Sequence, residues 1–184
     1  GEKIVVEEFM QGEEASIFAI TDGSNFVTLA PAQDHKRILD GDKGKNTGGM
    51  GAYCPAPIVT PEVLEKIKSQ IIEPTLKGMS EEGHPYVGCL YVGLMINEGN
   101  PKVVEYNCRF GDPETQAVLS VFDGDFAELL FSAAKGELNA SAIREISRGY
   151  ATCVVLASKG YPDKYETGFE ITGLDEITDN VIVY

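Results

Sequence analysis

The sequence predicts an α+β fold built on antiparallel pairing. Three observations carry this. The elements run as strands, loop, helix, strand pair, helices and strands, without the strict alternation of a doubly wound parallel sheet. Two tight-turn signals, Asp22-Gly23-Ser24-Asn25 and Asn97-Glu98-Gly99-Asn100-Pro101, separate runs of strand length. The 184 residues are 43% hydrophobic and 24% charged, an ordinary globular balance for one large domain or two small ones.

Taken in order, Ile4 to Phe9 and Ala15 to Thr21 read as strands joined by the acidic turn Gln11 to Glu14. Phe26 to Leu29 continues the meander. Residues 31–57 show no regular period and carry Gly, Pro, Asp, Asn and Lys, which predicts a long loop; loops of this length are usually functional or disordered. Thr60-Pro61 then starts a helix, with Thr as N-cap and Pro in the first turn. Val63, Leu64, Ile67, Ile71 and Ile72 fall at helical spacing, and Pro74 should kink or end the run. Tyr86 to Ile96 and Lys102 to Cys108 read as a strand pair. Asp112-Pro113 opens a helix to about Phe122, and Asp125 caps another that stops near Gly136. Tyr150 to Ser158 reads as a buried strand and Gly168 to Leu174 as a further one. The hydrophilic stretch Asn139 to Gly149 marks a subdomain boundary, which divides the chain into residues 1–138 and 139–184.

Charge excludes some partners. Fifteen basic and 29 acidic residues give −14, which argues against nucleic acid or anionic membrane as the main partner. No apolar run approaches the roughly 20 residues of a membrane span. Cys54, Cys89, Cys108 and Cys153 lie 35, 19 and 45 residues apart, without zinc-type spacing. Reduced thiols and a cytoplasmic location are expected. Gly1 is not Met and a strand is expected almost at once, so the sequence reads as a piece of a longer chain.

Three constellations can carry chemistry. Glu105 and Asn107 lie two apart on a predicted strand and so share a face, together with Val103. A carboxylate and an amide oxygen suit a hard cation such as Mg²⁺; the plainer alternative is the polar face of a hairpin. Arg109 and the turn into the helix at Asp112 follow, adding a planar donor fork and a helix N-terminus, both suited to phosphate. Alternatively Asp112 is only an N-cap and Arg109 its local partner.

The second constellation is Asp34-His35-Lys36-Arg37 followed by the glycine cluster; five of the 20 glycines lie between Gly41 and Gly51. Successive glycines let backbone N–H groups surround an anion. A Walker A loop is excluded, since Leu39 stands at its first Gly and Asn46 after Gly44-Lys45. A calcium loop from Asp40 through Asp42 is excluded by Lys45 and Gly51 at its sixth and twelfth positions. A flexible surface loop remains the alternative. The third constellation is Glu7-Glu8-Phe9 with Glu13-Glu14, where carboxylates can meet a ribose; the alternative is an acidic exposed edge.

In order, these motifs resemble the phosphoribosylamine–glycine ligases, ATP-grasp enzymes of purine synthesis. The matching stretches are Val6 to Phe9, Gly12 to Ser16, Pro31 to Arg37, Asn46-Thr47-Gly48-Gly49-Met50-Gly51-Ala52-Tyr53, Glu105 to Gln116 and Ala157 to Pro162. Nearly the whole chain is covered. The resemblance implies the C-terminal half of an ATP-grasp domain, an antiparallel sheet with flanking helices, over residues 1–138, and the incomplete start of a C-terminal subdomain over 139–184. It implies ligation of glycine to 5-phosphoribosylamine, with ATP phosphorylating the glycine carboxylate. Another ATP-grasp carboxylate–amine ligase and a non-enzymatic acidic interaction module are the alternatives.

By position, the resemblance assigns Glu105 and Asn107 to Mg²⁺ or Mn²⁺, and Arg109 to the transferring phosphoryl group. Glu7, Glu8 and Phe9 become the adenine hinge and Glu14 the ribose contact. Asp34, His35, Lys36, Arg37, Asn46, Thr47, Gly48, Gly49, Met50, Gly51 and Asp112 become the substrate side. Lys45 departs from the family, which has Pro there. The family's Gly-rich ATP lid precedes the point where this sequence begins, so the remainder of a longer polypeptide is expected as a partner and the piece alone is expected to be inactive.

Overall fold

The computed structural model describes residues 3–41, 43–178 and 180–184. A four-stranded antiparallel sheet forms the centre, in the order β2-β1-β5-β6. Its strands are β1 (Glu13–Thr21), β2 (Phe26–Thr28), β5 (Gly88–Asn97) and β6 (Asn100–Asn107). β1 is buried on both faces, and its alternation sorts the two layers of core. Ala15, Ile17 and Ala19 join Val92, Leu94 and Ile96 on one face. There α1 (Pro61–Ile67) and α2 (Glu73–Glu81) cover them with Val63, Ile67 and Leu76. Phe18 and Ile20 point to the other face, against Val118 of α3 (Glu114–Val121) and Leu129 of α4 (Phe126–Ala134).

The predicted loop over 31–57 is a correction. Most of it is a hairpin of β3 (Gln33–Leu39) and β4 (Lys43–Cys54), which β9 (Ala151–Val154) extends into a three-stranded sheet. Asp42, part of the predicted loop, lies outside the described residues. Glycine hid the strand because its absent side chains carry no period; here they permit close approach. A Cβ on Gly51 would lie 2.7 Å from the Cys153 carbonyl oxygen, and one on Gly49 2.5 Å from Pro113 Cδ.

Other expectations shift. Residues 3–10 are not a strand: Ile4, Val5, Val6 and Phe9 are exposed, and no neighbouring strand among the described residues pairs with them. Gly168 to Leu174 fails for the same reason, with Phe169 and Ile171 exposed. The strand expected over 150–158 is confined to β9, and Val154 and Leu156 are exposed rather than buried. Thr60 caps α1 as expected, accepting from the Val63 N–H at 3.4 Å. The helix does not stop at Pro74; a π-helical turn, Lys68–Ile72, precedes it and passes directly into α2. Asp125 caps α4 by accepting from Glu128 N–H at 2.9 Å. Asp112 does not cap α3, whose N-cap is Pro113 without a side-chain bond; Asp112 instead accepts from Gln116 Nε2 at 3.3 Å.

The β5–β6 turn has Glu98 at φ 50° and Gly99 at φ 71°, as a two-residue hairpin of this hand requires. β7 (Asp123–Gly124) pairs with β8 (Ile143–Glu145), so the stretch expected as a boundary is itself packed against the end of α3. Among the described residues no helix is long and apolar enough to cross a membrane, and all four cysteines are free.

Candidate functional site

The site lies on the sheet face that carries the even-numbered side chains of β1. Register builds it row by row. Ser16 pairs with Gly93 and Gly93 with Glu105; in the next row Phe18 pairs with Tyr91 and Tyr91 with Asn107. Directly paired residues share a face, so Glu105 and Asn107 stand together as expected. Val103 does not join them. The ladder shifts between Gly93 and Leu94, which places Val103 opposite Leu94 and leaves Val104 as the extra residue of a β-bulge. Val103 therefore packs on the far core, while the bulge turns Glu105 toward the site.

β3 arrives through a bridge between Ser16 and Ala32, with N–H to carbonyl distances of 2.8 and 3.0 Å. Strand alternation then aims Asp34 and Lys36 at β1. Lys36 Nζ lies 2.9 Å from Glu14 and 3.0 Å from Asp34. Burial pushes the Lys36 ammonium down, but hydrogen bonds and charge from Glu14 and Asp34 outweigh it and hold the proton well above the ordinary range. Glu14, Ser16, Asp34, Lys36, Tyr91, Gly93 and Glu105 line one small cavity of about 10 Å³, room for about one water. A larger open groove of about 590 Å³, lined by Phe26, Val27, Lys68 and Arg144, contains none of the predicted residues.

The remaining predicted residues sit around this centre or apart from it. His35 and Arg37 occupy the alternate positions of β3. His35 packs on Tyr53 with centroids 5.8 Å apart, and Arg37 donates to the Gly44 carbonyl at 2.7 Å. Asn46 pairs with Arg37 in the hairpin. Thr47 Oγ1 donates to the Lys36 carbonyl at 2.9 Å and accepts from the Gly49 N–H at 3.1 Å. Gly48 N–H reaches Tyr161 at 3.2 Å, and the Met50 carbonyl accepts from Val155 at 2.9 Å. Gly49 abuts Asp112 and Pro113, which joins the glycine-rich strand to the turn before α3. Arg109 is exposed and donates to the Phe110 carbonyl at 2.9 Å, so it is not paired with Asp112. Glu7, Glu8 and Phe9 lie in the exposed leading segment, where Glu8 pairs with Lys102 at 2.7 Å.

Sequence reasoning missed Ser16, Tyr91, Gly93 and Glu114. Glu114 is 2% exposed and accepts from Ser16 Oγ at 3.1 Å. Burial pushes its carboxyl above the usual range; Asp34 adds to this, while its own backbone N–H and the Tyr91 and Ser16 hydroxyls pull it back. An acid in the first turn of a helix was a readable signal, and its burial was not. The role of Gly93 depends on a register that no local pattern reports.

The donor set suits a hard divalent cation. Among the described residues no group of three or more His, Cys, Asp and Glu is arranged to hold a metal ion by itself. Glu105 and Asn107 supply two oxygens on one face, which fits Mg²⁺ or Mn²⁺ completed by substrate phosphates and water.

Comparison with known proteins shows the family and the fold. The family described as phosphoribosylglycinamide synthetase, ATP-grasp (A) domain, matches residues 1–115. The chain is 52% identical over its whole length to phosphoribosylamine–glycine ligase of Leptospira interrogans serovar Lai. It is 54% identical over 93% of its length to the ligase of that name from Chlorobaculum tepidum. It spans 43% and 40% of those relatives, under half of each. The crystal structure of phosphoribosylamine–glycine ligase from Thermotoga maritima superposes with a TM-score of 0.77 at 40% identity, covering 87% of this chain and 40% of that one. The antiparallel sheets with flanking helices are those of an ATP-grasp fold, and the chain belongs to the phosphoribosylglycinamide synthetase ATP-grasp family.

Proposed function

We propose that this chain forms the metal- and substrate-binding half of the ATP site in a cytoplasmic ligase of purine biosynthesis. That ligase joins glycine to 5-phosphoribosylamine and releases ADP and phosphate. One observation carries the reading: Glu14, Asp34, Lys36 and Glu105, from three separate sequence motifs, converge on a single cavity. Residues 1–138 form the C-terminal half of the ATP-grasp domain, and residues 139–184 begin the next subdomain.

In this reading Glu105 and Asn107 hold Mg²⁺ or Mn²⁺ against the ATP phosphates. When bound, the cation draws charge from the phosphate oxygens. Arg109, at the head of the turn into α3, offers its fork of donors to the transferring phosphoryl group. Glu7 to Phe9 meet the adenine and Glu14 the ribose. The β3–β4 hairpin, with Asp34 to Arg37 and Asn46 to Gly51, takes the amine substrate together with Asp112. Lys36 links the two halves, since it touches both Glu14 and Asp34. The lid on the remainder of the polypeptide excludes water.

The test is Glu105→Ala in the full-length protein. ADP release dependent on glycine and 5-phosphoribosylamine should fall by about 10²-fold or more, the scale of losing one electrostatic stabiliser of the transition state. Normal turnover would sink the metal assignment.

A further inference from the structure

Tyr91 and Gly93 stand directly beside the candidate ligands and have no role in the reading above. Across the ladder Tyr91 pairs with Asn107 and Gly93 with Glu105. A Cβ on Gly93 would lie 3.1 Å from Glu105 Cγ and 3.3 Å from Tyr91 Cε1. The Glu105 stem and the Tyr91 ring therefore lean over the same vacant position and close it from two sides. Glu105 itself is exposed, so on an ordinary strand its long side chain would have free choice of rotamer.

Tyr91 is fixed at both ends. Its ring packs on Phe18 with centroids 5.7 Å apart, and the residue is 3% exposed. Its hydroxyl lies 2.9 Å from Ser16 Oγ. Ser16 Oγ also donates to Glu114 Oε1 at 3.1 Å. The result is a hydrogen-bonded string, Tyr91–Ser16–Glu114, which ties β5 and β1 to the first turn of α3. That turn follows the Arg109–Asp112 segment. A Cβ on Gly111 would lie 2.7 Å from the Glu114 carboxylate, so the string ends against the segment's own backbone.

We propose that Tyr91 is a positioning residue for the Glu105–Asn107 metal-ligand pair, and that Gly93 provides the space in which Glu105 takes its ligating rotamer. The proposal rests on the reading of Glu105 and Asn107 given above. Mg²⁺ demands near-ideal octahedral geometry, so a ligand displaced by a few tenths of an ångström loses affinity. Residues behind a ligand typically control 10–100-fold in metal affinity. Gly93→Ala presses on the movable Glu105 stem from one side while the fixed Tyr91 ring stands on the other, so Glu105 is the group that shifts. Tyr91→Phe removes one oxygen and no ring.

The experiment uses the full-length protein with ADP present. Mn²⁺ binding is followed by electron paramagnetic resonance in wild type, Tyr91→Phe, Gly93→Ala and Glu105→Ala. Mg²⁺ dependence of ADP release is measured alongside, and thermal melting checks folding. Tyr91→Phe and Gly93→Ala should each weaken Mn²⁺ binding by roughly 10-fold. Both should move Mg²⁺ activation to higher concentration, with turnover recovering when Mg²⁺ is raised. If Glu105→Ala loses Mn²⁺ while the other two bind as wild type does, the positioning role is overturned and the ligand assignment stands. If Glu105→Ala also binds as wild type does, both are overturned. Slow turnover in Tyr91→Phe at every Mg²⁺ concentration, with unaltered Mn²⁺ affinity, places its effect elsewhere and overturns the proposal. Should Gly93→Ala fail to fold, Tyr91→Phe decides alone.

Discussion

Residues of one type behave differently in this molecule according to burial, and the thiols show it. Burial pushes the thiols of Cys54 and Cys89 up to about 12, so thiolate is scarce at neutral pH. Cys108 is exposed on the turn that follows β6. Brief treatment with iodoacetamide followed by peptide mass spectrometry should label Cys108 first and leave Cys54 and Cys89 unmodified; early labelling at Cys54 would contradict its burial. The sequence permitted free thiols but carried no ranking among them, because exposure depends on which strand covers which. The same distinction applies at the site. Asp34 and Lys36 were readable as candidates because they are charges in a patterned motif. The contact of Lys36 with Glu14 was not readable, since it depends on a bridge between Ser16 and Ala32.

At the scale of the element, the glycine-rich strand β4 is the instructive case. Hydrophobic periodicity identifies strands by their side chains, and Lys43 to Gly51 offers almost none on its core side. Helix starts were easier, because Thr60 and Asp125 announce themselves through local chemistry that survives in the fold. Two adjacent glycines separate packing from flexibility. Gly49 has φ +125° and a Cβ there would meet Pro113 at 2.5 Å and the Asp112 carbonyl at 3.0 Å. Gly48 carries no such strain, and its nearest obstacle is the Tyr161 hydroxyl at 3.5 Å. Gly49→Ala should therefore destabilise by about 1–3 kcal/mol, while Gly48→Ala should stay close to wild type in the same thermal melts. Equal melting temperatures would mean that the strand yields freely and is a loop after all.

At the scale of the whole molecule, the antiparallel α+β class followed from element order, whereas the burial of β1 on both faces depends on helices packed from distant parts of the chain. Long-range ties between layers were invisible. Asp22 is one such tie. It ends β1, yet its Oδ2 accepts from the Leu138 N–H at 2.9 Å, 116 residues away. Burial alone would raise this carboxyl, but backbone N–H groups of Asn25, Leu138 and Ser24 together bring it down to about 2. A lowered folded-state value means that the unfolded chain binds the proton first as acid is added. Asp22 therefore contributes stability above pH 3.8 that is lost as pH falls toward 2. Acid titrations followed by circular dichroism should show Asp22→Asn less stable than wild type at neutral pH, with the two curves converging below pH 3; parallel curves would remove Asp22 from the account.

The π-helical turn before Pro74 keeps the long helical segment in phase. Ile67 and Ile72, both fully buried, are five residues apart, which on an unbroken α-helix of 3.6 residues per turn rotates the second about 140° from the first. Ile72 would then face away from the sheet that Ile67 packs against. The π turn, closed by i→i+5 bonds, brings Ile72 back over Ile67, and Leu76 follows four residues on. Lys68–Ile72 thus works as a spacer that holds one residue more than an α-helical turn while the buried face continues on both sides of it.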